Sequence, residues 1–275
     1  MKTRSNLHTH STYCDGKDSL REIVEKAIAL GFKSIGFSSH AYTGFDFDVS
    51  QIKADKIDDY INEIENLKAE YSDRIAIYKG FEYESRDILS NNPKLDKRLD
   101  YTIGSVHFFY DKGNYFCVDW SLEKQNEALE YFGSFKKMAL NFFEEVVRFS
   151  YVSSYDIVGH FDLITKFIEK GGYDPNNDEW YREMALDALD AVANKDKLFE
   201  VNTGAIARGY RTSPYPAPFL LKRLKERGSK VILTSDCHNK DYLDAAFNET
   251  EESLKALGFK ELYELTDKGF MPYKL

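Results

Sequence analysis

Six histidines, His8, His10, His40, His107, His160 and His238, are spread over this 275-residue chain. His8 and His10 stand one residue apart in "NLHTHST". Alternate side chains of an extended segment share a face, so these two imidazoles lie side by side. Carboxylates keep the same company: Asp15 in "YCDG", Glu82 in "GFEYE", and Asp236 two residues before His238 in "SDCH", so that both face one way on the seventh strand. Imidazole and carboxylate together suit Zn, Mn or Fe, and the lack of thiolate ligands argues against a structural zinc knot. Nine ligands are too many for one ion and suit two or three, with a carboxylate bridging. Taken singly, each residue has a plainer reading. A histidine near a strand end is more often a core or rim residue, and Asp15 before Gly16 is a turn signal by itself. Six imidazoles gathered without metal would be harder to justify, because each buried ring nitrogen needs a partner.

The chemistry that such a centre favours is phosphoryl transfer to water. Three divalent ions outweigh the negative charge of Asp15, Glu82 and Asp236, so the pocket would attract an anion. Ions a few ångströms apart acidify water and clamp a phosphoryl group from both sides. Arg208 and Arg211 in "NTGAIARGYRTSPYP" are candidates to take a phosphate through paired guanidinium donors. No Ser or Cys nucleophile is needed. Cys14 and Cys237 flank the candidate ligands, yet neither has a free histidine to act as its base.

For the histidines to meet, the elements must bring them together. Short apolar runs recur at 5–10, 34–40, 75–84, 101–109, 156–163, 198–204 and 231–238, and each histidine falls at or near the end of one. Helical patterns lie between them. The first is marked by a capping box, Ser19 with Glu22, ahead of Leu20, Ile23, Val24, Ala27 and Ile28, and it stops at Gly31. Others span about 51–71, 123–150, 179–194, 216–227 and 240–257. Alternating strands and helices imply parallel strands, and seven such units suggest an α/β fold with a closed or nearly closed β/α barrel. A doubly wound sheet would want a glycine-rich phosphate turn after its first strand, which "HTHSTYCDG" is not. In a barrel the carboxyl ends of the strands converge on one face, where active sites are built.

Composition narrows the partners. The net charge is −9 and no basic stripe appears, which weighs against a long nucleic-acid tract. No run of about eighteen apolar residues is present to span a membrane. The segment "MKTRSNLHTH" lacks the apolar region of a signal peptide. Cys14, Cys117 and Cys237 show no CxxC spacing and read as reduced thiols, pointing to the cytoplasm. With no repeat or linker, residues 1–275 read as a single domain.

The motifs "HTHSTYCDG", "FSSH", "GFE", "SVH", "GHFD" and "SDCH" occur in the order seen in the polymerase and histidinol phosphatase (PHP) family, which the chain resembles from residue 5 to at least residue 240. Within that family it is similar to the stand-alone histidinol-phosphate phosphatases, a branch that "EVNTG", the downstream arginine and "SPYP" also fit. The resemblance implies a distorted seven-stranded (β/α)7 barrel with a trinuclear metal site. It implies that His8, His10, Glu82 and Asp236 hold one ion. Glu82 would bridge to a second ion held by His107 and His160, and Asp15, His40 and His238 would hold the third. Many relatives have histidine where this chain has Asp15, and the phosphatase branch resembles it in using aspartate. The implied activity is hydrolysis of L-histidinol phosphate to L-histidinol and phosphate, with Glu82 and Asp236 acting through the metals. Arg208 would be the phosphate ligand, and Arg211 a second candidate. Glu84, Tyr42, Phe116 and Tyr210 are candidates to receive the amine and imidazole of the substrate. Asp162 of "GHFD" is either a partner that orients His160 or a loop residue. The segment after the fourth strand, "YDKGNYFCVDWSLEKQ", is a candidate lid. Rival readings are a phosphoesterase of nucleotides or nucleic-acid 3′ ends, a metal-binding module without turnover, and hydrolysis of a cyclic amide or amine on a similar barrel. The last usually recruits a carboxylated lysine, and no lysine stands at a strand end.

Overall fold

A computed structural model describes residues 4–86, 96–193 and 197–275. The strands are β1 (Ser5–Asn6), β2 (Ser34–His40), β3 (Ala76–Glu84), β4 (Tyr101–Ser105), β5 (Phe108–Asp111), β6 (Asn114–Cys117), β7 (Ile157–Val158), β8 (Leu198–Asn202), β9 (Val231–Thr234), β10 (Glu261–Thr266) and β11 (Gly269–Lys274). The helices are α1 (Leu20–Ala29), α2 (Ile57–Glu70), α3 (Leu122–Phe132), α4 (Phe135–Val152), α5 (Ile168–Gly171), α6 (Glu179–Ala193), α7 (Gly204–Ala207), α8 (Pro218–Arg227) and α9 (Phe247–Ala256).

Seven strands form one parallel sheet in the order β1-β2-β3-β4-β7-β8-β9. The first and last segments close on each other past their strands, where His10 N donates to Cys237 O (2.8 Å) and Cys237 N donates to His8 O (3.0 Å). The sheet is thus a nearly closed β/α barrel, as the strand–helix alternation predicts. Its interior holds Leu7, Tyr101, Ile103, Ile157, Leu198 and Ile232, all buried. Tyr101 fills the middle because Gly36 and Gly80 make room: a Cβ on either would stand 2.6 Å from its side chain. The Tyr101 hydroxyl donates to Leu7 O across the barrel. Helices cover the outside through their apolar stripes, as with Leu20, Ile23, Val24 and Ala27 of α1. Leu265 of the β10–β11 hairpin joins the interior cluster, with Tyr263 and Phe270 packed against it.

The boundaries correct several expectations. The helix expected over 123–150 is two, because Gly133 takes a left-handed conformation (φ 71°) that ends α3, and Ser134 caps α4. The run 101–109 is not one strand: β4 stops at Ser105, and Phe108 starts an antiparallel hairpin of β5 and β6. The capping box of Ser19 and Glu22 is present as expected. The expected helix 179–194 is observed through Ala193, and its last residue lies outside the described set. Cys14, Cys117 and Cys237 are all free. Among the described residues, no helix is long and apolar enough to cross a membrane.

Candidate metal centre

All six histidines gather at the carboxyl ends of the barrel strands. Adjacent ring centroids are 4.1 Å apart for His10 and His238, 4.4 Å for His10 and His40, 5.1 Å for His8 and His10, and 4.8 Å for His107 and His160. Glu82, on β3, lies at the centre. Its Oε2 is 3.1 Å from His8 Nε2, 3.5 Å from His10 Nε2 and 3.1 Å from His40 Nδ1. Its Oε1 is 2.9 Å from His160 Nε2 and 3.5 Å from His107 Nε2, and it accepts from Ser105 Oγ at 2.5 Å. Asp236 Oδ1 is 3.2 Å from His10 Nε2 and 3.4 Å from His238 Nδ1. Asp15 Oδ1 lies 3.3 Å from His238 Nε2 and 3.7 Å from His40 Nε2.

These nine residues form one continuous cluster. The resemblance divides them into three sets, but the geometry shares members. His10 stands with Asp15, His40 and His238 as well as with His8 and Glu82, and His40 stands also with Glu82 and His107. One expected reason for the arrangement is corrected. Asp236 and His238 do not share a strand face, since β9 ends at Thr234. Asp236 reaches the centre from a left-handed turn (φ 47°), a conformation costly for a non-glycine residue and typical of functional sites.

The donor set fits a divalent cation. His8 Nε2, His10 Nε2 and Glu82 Oε2 are buried and have no hydrogen-bond partner among the described residues, yet they face one another. Buried polar atoms rarely stay unpaired, and nitrogen and oxygen donors at this spacing are what such an ion requires. Protonation follows the same geometry. Burial, with the neighbouring His238 and His40 rings, lowers His10 to about 3, so its ring is neutral with a lone pair to offer. Burial would lower His107 too, but Glu82 and Glu84 outweigh it and raise it to about 10. Burial would push the Glu82 carboxyl up, but His8, His107 and His40 hold it well below the usual carboxylate range. Cys14 Sγ is 3.5 Å from His10 Nδ1, but burial pushes its thiol up to about 11, so it supplies no thiolate at neutral pH.

Two further carboxylates aim the rings. Glu200 Oε2 lies 2.8 Å from His8 Nδ1, and Glu200 also accepts from the His160 amide. Glu84 Oε2 accepts from His107 N (2.9 Å) and lies 3.0 Å from His107 Nδ1. A carboxylate on the far ring nitrogen fixes the tautomer and turns the other lone pair to the metal. Glu200 escaped the sequence reading, although an acid inside the apolar strand "LFEVN" was the signal for it.

A cavity of about 420 Å³ opens above the cluster, lined by Arg208, Lys166, Asp119, Trp120, Asp48 and Phe108 among others. Arg208 is held at its wall: Nη1 donates to Asp236 O (2.8 Å) and Nη2 to Asp236 Oδ2 (2.9 Å). Lys166 Nζ, also missed by sequence reasoning, donates to Asp119 O (2.7 Å) and Oδ2 (3.1 Å). Tyr210 lines the cavity as well, with Lys170 Nζ 4.2 Å from its ring centre.

Five expected residues place differently. Arg211 is buried outside the cavity lining, where it bonds Thr165 Oγ1, pairs with Asp162 (3.7 Å) and lies over the Tyr215 ring, so it has no free face for a phosphate. Tyr42 packs against the core and Phe116 against Phe109, Tyr131 and Phe132, and neither lines the cavity. Glu84 lines it, but both its oxygens are taken, Oε1 by Ser85 (2.8 and 2.9 Å) and Oε2 by His107. Asp162 pairs with Arg211 and accepts from Ala217 N (3.1 Å), and no hydrogen bond joins it to the His160 ring.

Residues 6–204 match the PHP domain model. The chain belongs to the PHP family. The Bacillus subtilis histidinol-phosphatase is 27% identical over 249 residues, covering 84% of this PHP chain and 92% of that protein. Two solved structures share the fold. A Listeria monocytogenes chain described as a histidinol phosphatase superposes with a TM-score of 0.81 at 23% identity, covering 90% of this chain and 99% of that one. The Lactococcus lactis histidinol phosphate phosphatase, solved with zinc, L-histidinol and phosphate, superposes with a TM-score of 0.69 at 24% identity, covering 98% and 99%. The seven-stranded PHP barrel is therefore common to this chain and both structures.

Proposed function

We propose that this PHP chain, one domain over residues 1–275, is a metal-dependent phosphomonoesterase that hydrolyses L-histidinol phosphate to L-histidinol and phosphate. The observation that carries the reading is the convergence of His8 Nε2, His10 Nε2 and Glu82 Oε2, buried and unpaired, on one point beneath a cavity walled by Arg208. The histidinol-phosphatase relatives, and the Lactococcus lactis complex with zinc, L-histidinol and phosphate, support the choice of substrate.

Two to three divalent ions (Zn, Mn or Fe) would be held by His8, His10, Asp15, His40, Glu82, His107, His160, Asp236 and His238. Bound there, they supply Lewis-acid stabilisation of phosphoryl charge and acidify water. The protein does the rest. Glu82, within 3.5 Å of nitrogens from five of the histidines, would help to hold more than one such ion. Asp236 keeps the Arg208 fork in place with two hydrogen bonds, leaving further guanidinium donors for the non-bridging phosphate oxygens. These contacts strengthen as charge builds on those oxygens in the transition state. Lys166, anchored on Asp119 through two of its three donors, adds positive charge to the same cavity. Phe108, Val49 and Trp120 form apolar wall that limits water around the ester.

The test is phosphate release from L-histidinol phosphate by purified protein of measured metal content. Active protein is expected to carry two to three equivalents of metal. Glu82→Ala and His107→Ala are expected to reduce release to background while circular dichroism stays unchanged. Near-normal turnover in either variant, or active protein without metal, refutes the mechanism. A mononucleotide turned over faster than L-histidinol phosphate refutes the substrate.

A further inference from the structure

Six carboxylates line the cavity: Asp15, Asp48, Glu82, Glu84, Asp119 and Asp236. Five have an imidazole or cation within 4 Å. Asp15 and Glu82 face the histidine cluster, Asp236 faces Arg208, Glu84 faces His107 and Asp119 faces Lys166. Asp48 has none among the described residues. It is 6% exposed and accepts only from neutral groups: Oδ1 from the Ser50 amide (3.1 Å) and hydroxyl (2.6 Å), and Oδ2 from Thr43 Oγ1 (3.1 Å). A buried carboxylate is costly without a counter-charge, and each oxygen accepts about two donors, so Asp48 keeps acceptor capacity.

The loop holds this acid in place. The Gln51 side chain accepts from Thr43 N (2.7 Å) and Gly44 N (3.2 Å) and donates to Phe45 O (2.7 Å) and Asp48 O (2.8 Å). Asp48 therefore needs no cation to set its position, and its charge is left for something that enters the cavity. Apolar surface stands next to it. Val49, the following residue, is 76% exposed, and Trp120 is 53% exposed. Both line the cavity, as does the buried Phe108. A cationic group carried on an apolar or aromatic body matches this wall.

We infer that Asp48 is a specificity-determining residue that takes the protonated amine of an amino-bearing phosphomonoester. The inference rests on the phosphatase reading above, which puts the phosphate at Arg208. It gives the amine to Asp48 rather than to Glu84, whose oxygens already serve Ser85 and His107.

The experiment compares kcat/KM of the metal-loaded enzyme for L-histidinol phosphate and for glycerol phosphate, which has no amine. Asp48→Asn removes the charge and keeps the local bonds. Its amide can donate to Thr43 Oγ1, whose one proton then turns from residue 48 to Gln51 Oε1 (2.9 Å). Asp48→Asn is expected to lower the ratio of the two values by about 10- to 100-fold, chiefly through KM for the aminated ester. Thr43→Val, which removes a bond to Asp48 and keeps its charge, is expected to hold the ratio within about threefold. The assignment is overturned if Asp48→Asn leaves the ratio within about threefold of wild type. It is overturned also if Thr43→Val lowers the ratio equally, since loop order would then be the cause. Wild-type enzyme that releases phosphate from neither ester instead overturns the phosphatase reading, and this inference with it.

Discussion

Replacing Glu200 by glutamine takes one negative charge from behind the histidines without changing side-chain length. Four donors meet this carboxylate in the wild-type protein. His8 Nδ1 and Thr234 Oγ1 reach Oε2, each at 2.8 Å, while Asn202 Nδ2 (2.9 Å) and the His160 amide reach Oε1. Glutamine has one acceptor oxygen and one donor group. Its oxygen must face Asn202 and the His160 amide, because the amide cannot accept and Asn202 Oδ1 already accepts from Gly204 N (2.8 Å). The NH₂ then faces His8 Nδ1, which answers by moving its proton to Nε2. That nitrogen points at Glu82 Oε2, so the proton now occupies the position that a metal ion needs. Loss of such an orienting carboxylate costs about 10- to 100-fold in metal affinity, or about 1.4–2.7 kcal/mol. Without Glu200 the His8 ring also gives up its proton more easily, which offsets part of the loss, and comparing both proteins at one alkaline pH limits that effect. The assay is zinc titration against a chelator of known affinity, with circular dichroism as a check on folding. Zinc affinity within about twofold of wild type would refute the orienting role.

Arg211→Ala leaves Asp162 buried without a counter-charge and is expected to cost about 3–5 kcal/mol of stability, read from urea unfolding of metal-free protein. A change below about 1 kcal/mol would count against Arg211 as a structural ion-pair partner. Metal affinity is expected to rise with pH. His107, raised to about 10 by its carboxylate neighbours against the effect of burial, carries a proton at neutral pH in the metal-free protein, and that proton must leave when an ion binds. Affinity should therefore climb about tenfold per pH unit for each proton displaced, up to the His107 value. Zinc competition titrations between about pH 6 and about pH 8 check this, and a flat profile is inconsistent with it.

The strand-and-helix order was legible because burial writes periodicity into the chain. The Ser19–Glu22 box, for instance, announced α1 through purely local bonds. Where local signals were weak, boundaries slipped. The single helix expected over 123–150 overlooked Gly133, and the strand expected over 101–109 overlooked the turn into the β5–β6 hairpin, since apolar residues continue through both. Among site residues, the nine candidate ligands were readable only as a set, because six imidazoles and three carboxylates at or near strand ends are brought together at one end of a barrel. Arg211, Tyr42 and Phe116 were not separable from Arg208 and Tyr210 in the same way. A loop arginine or a ring has the same sequence signature whether it faces a cavity or the core.

What the chain's residues determined alone was the inventory: the seven barrel strands, the candidate ligand types, and the end of the barrel at which those residues meet. Tertiary structure alone decided how those charges are shared out. Glu200 reaches His8 across 192 positions of sequence, Asp162 pairs with Arg211, and Asp48 is left without a cation among the described residues. The reason is physical. Periodicity reports only whether a side chain is buried, whereas electrostatic pairing depends on distances of 3–4 Å between atoms far apart in the chain, and only folding sets those.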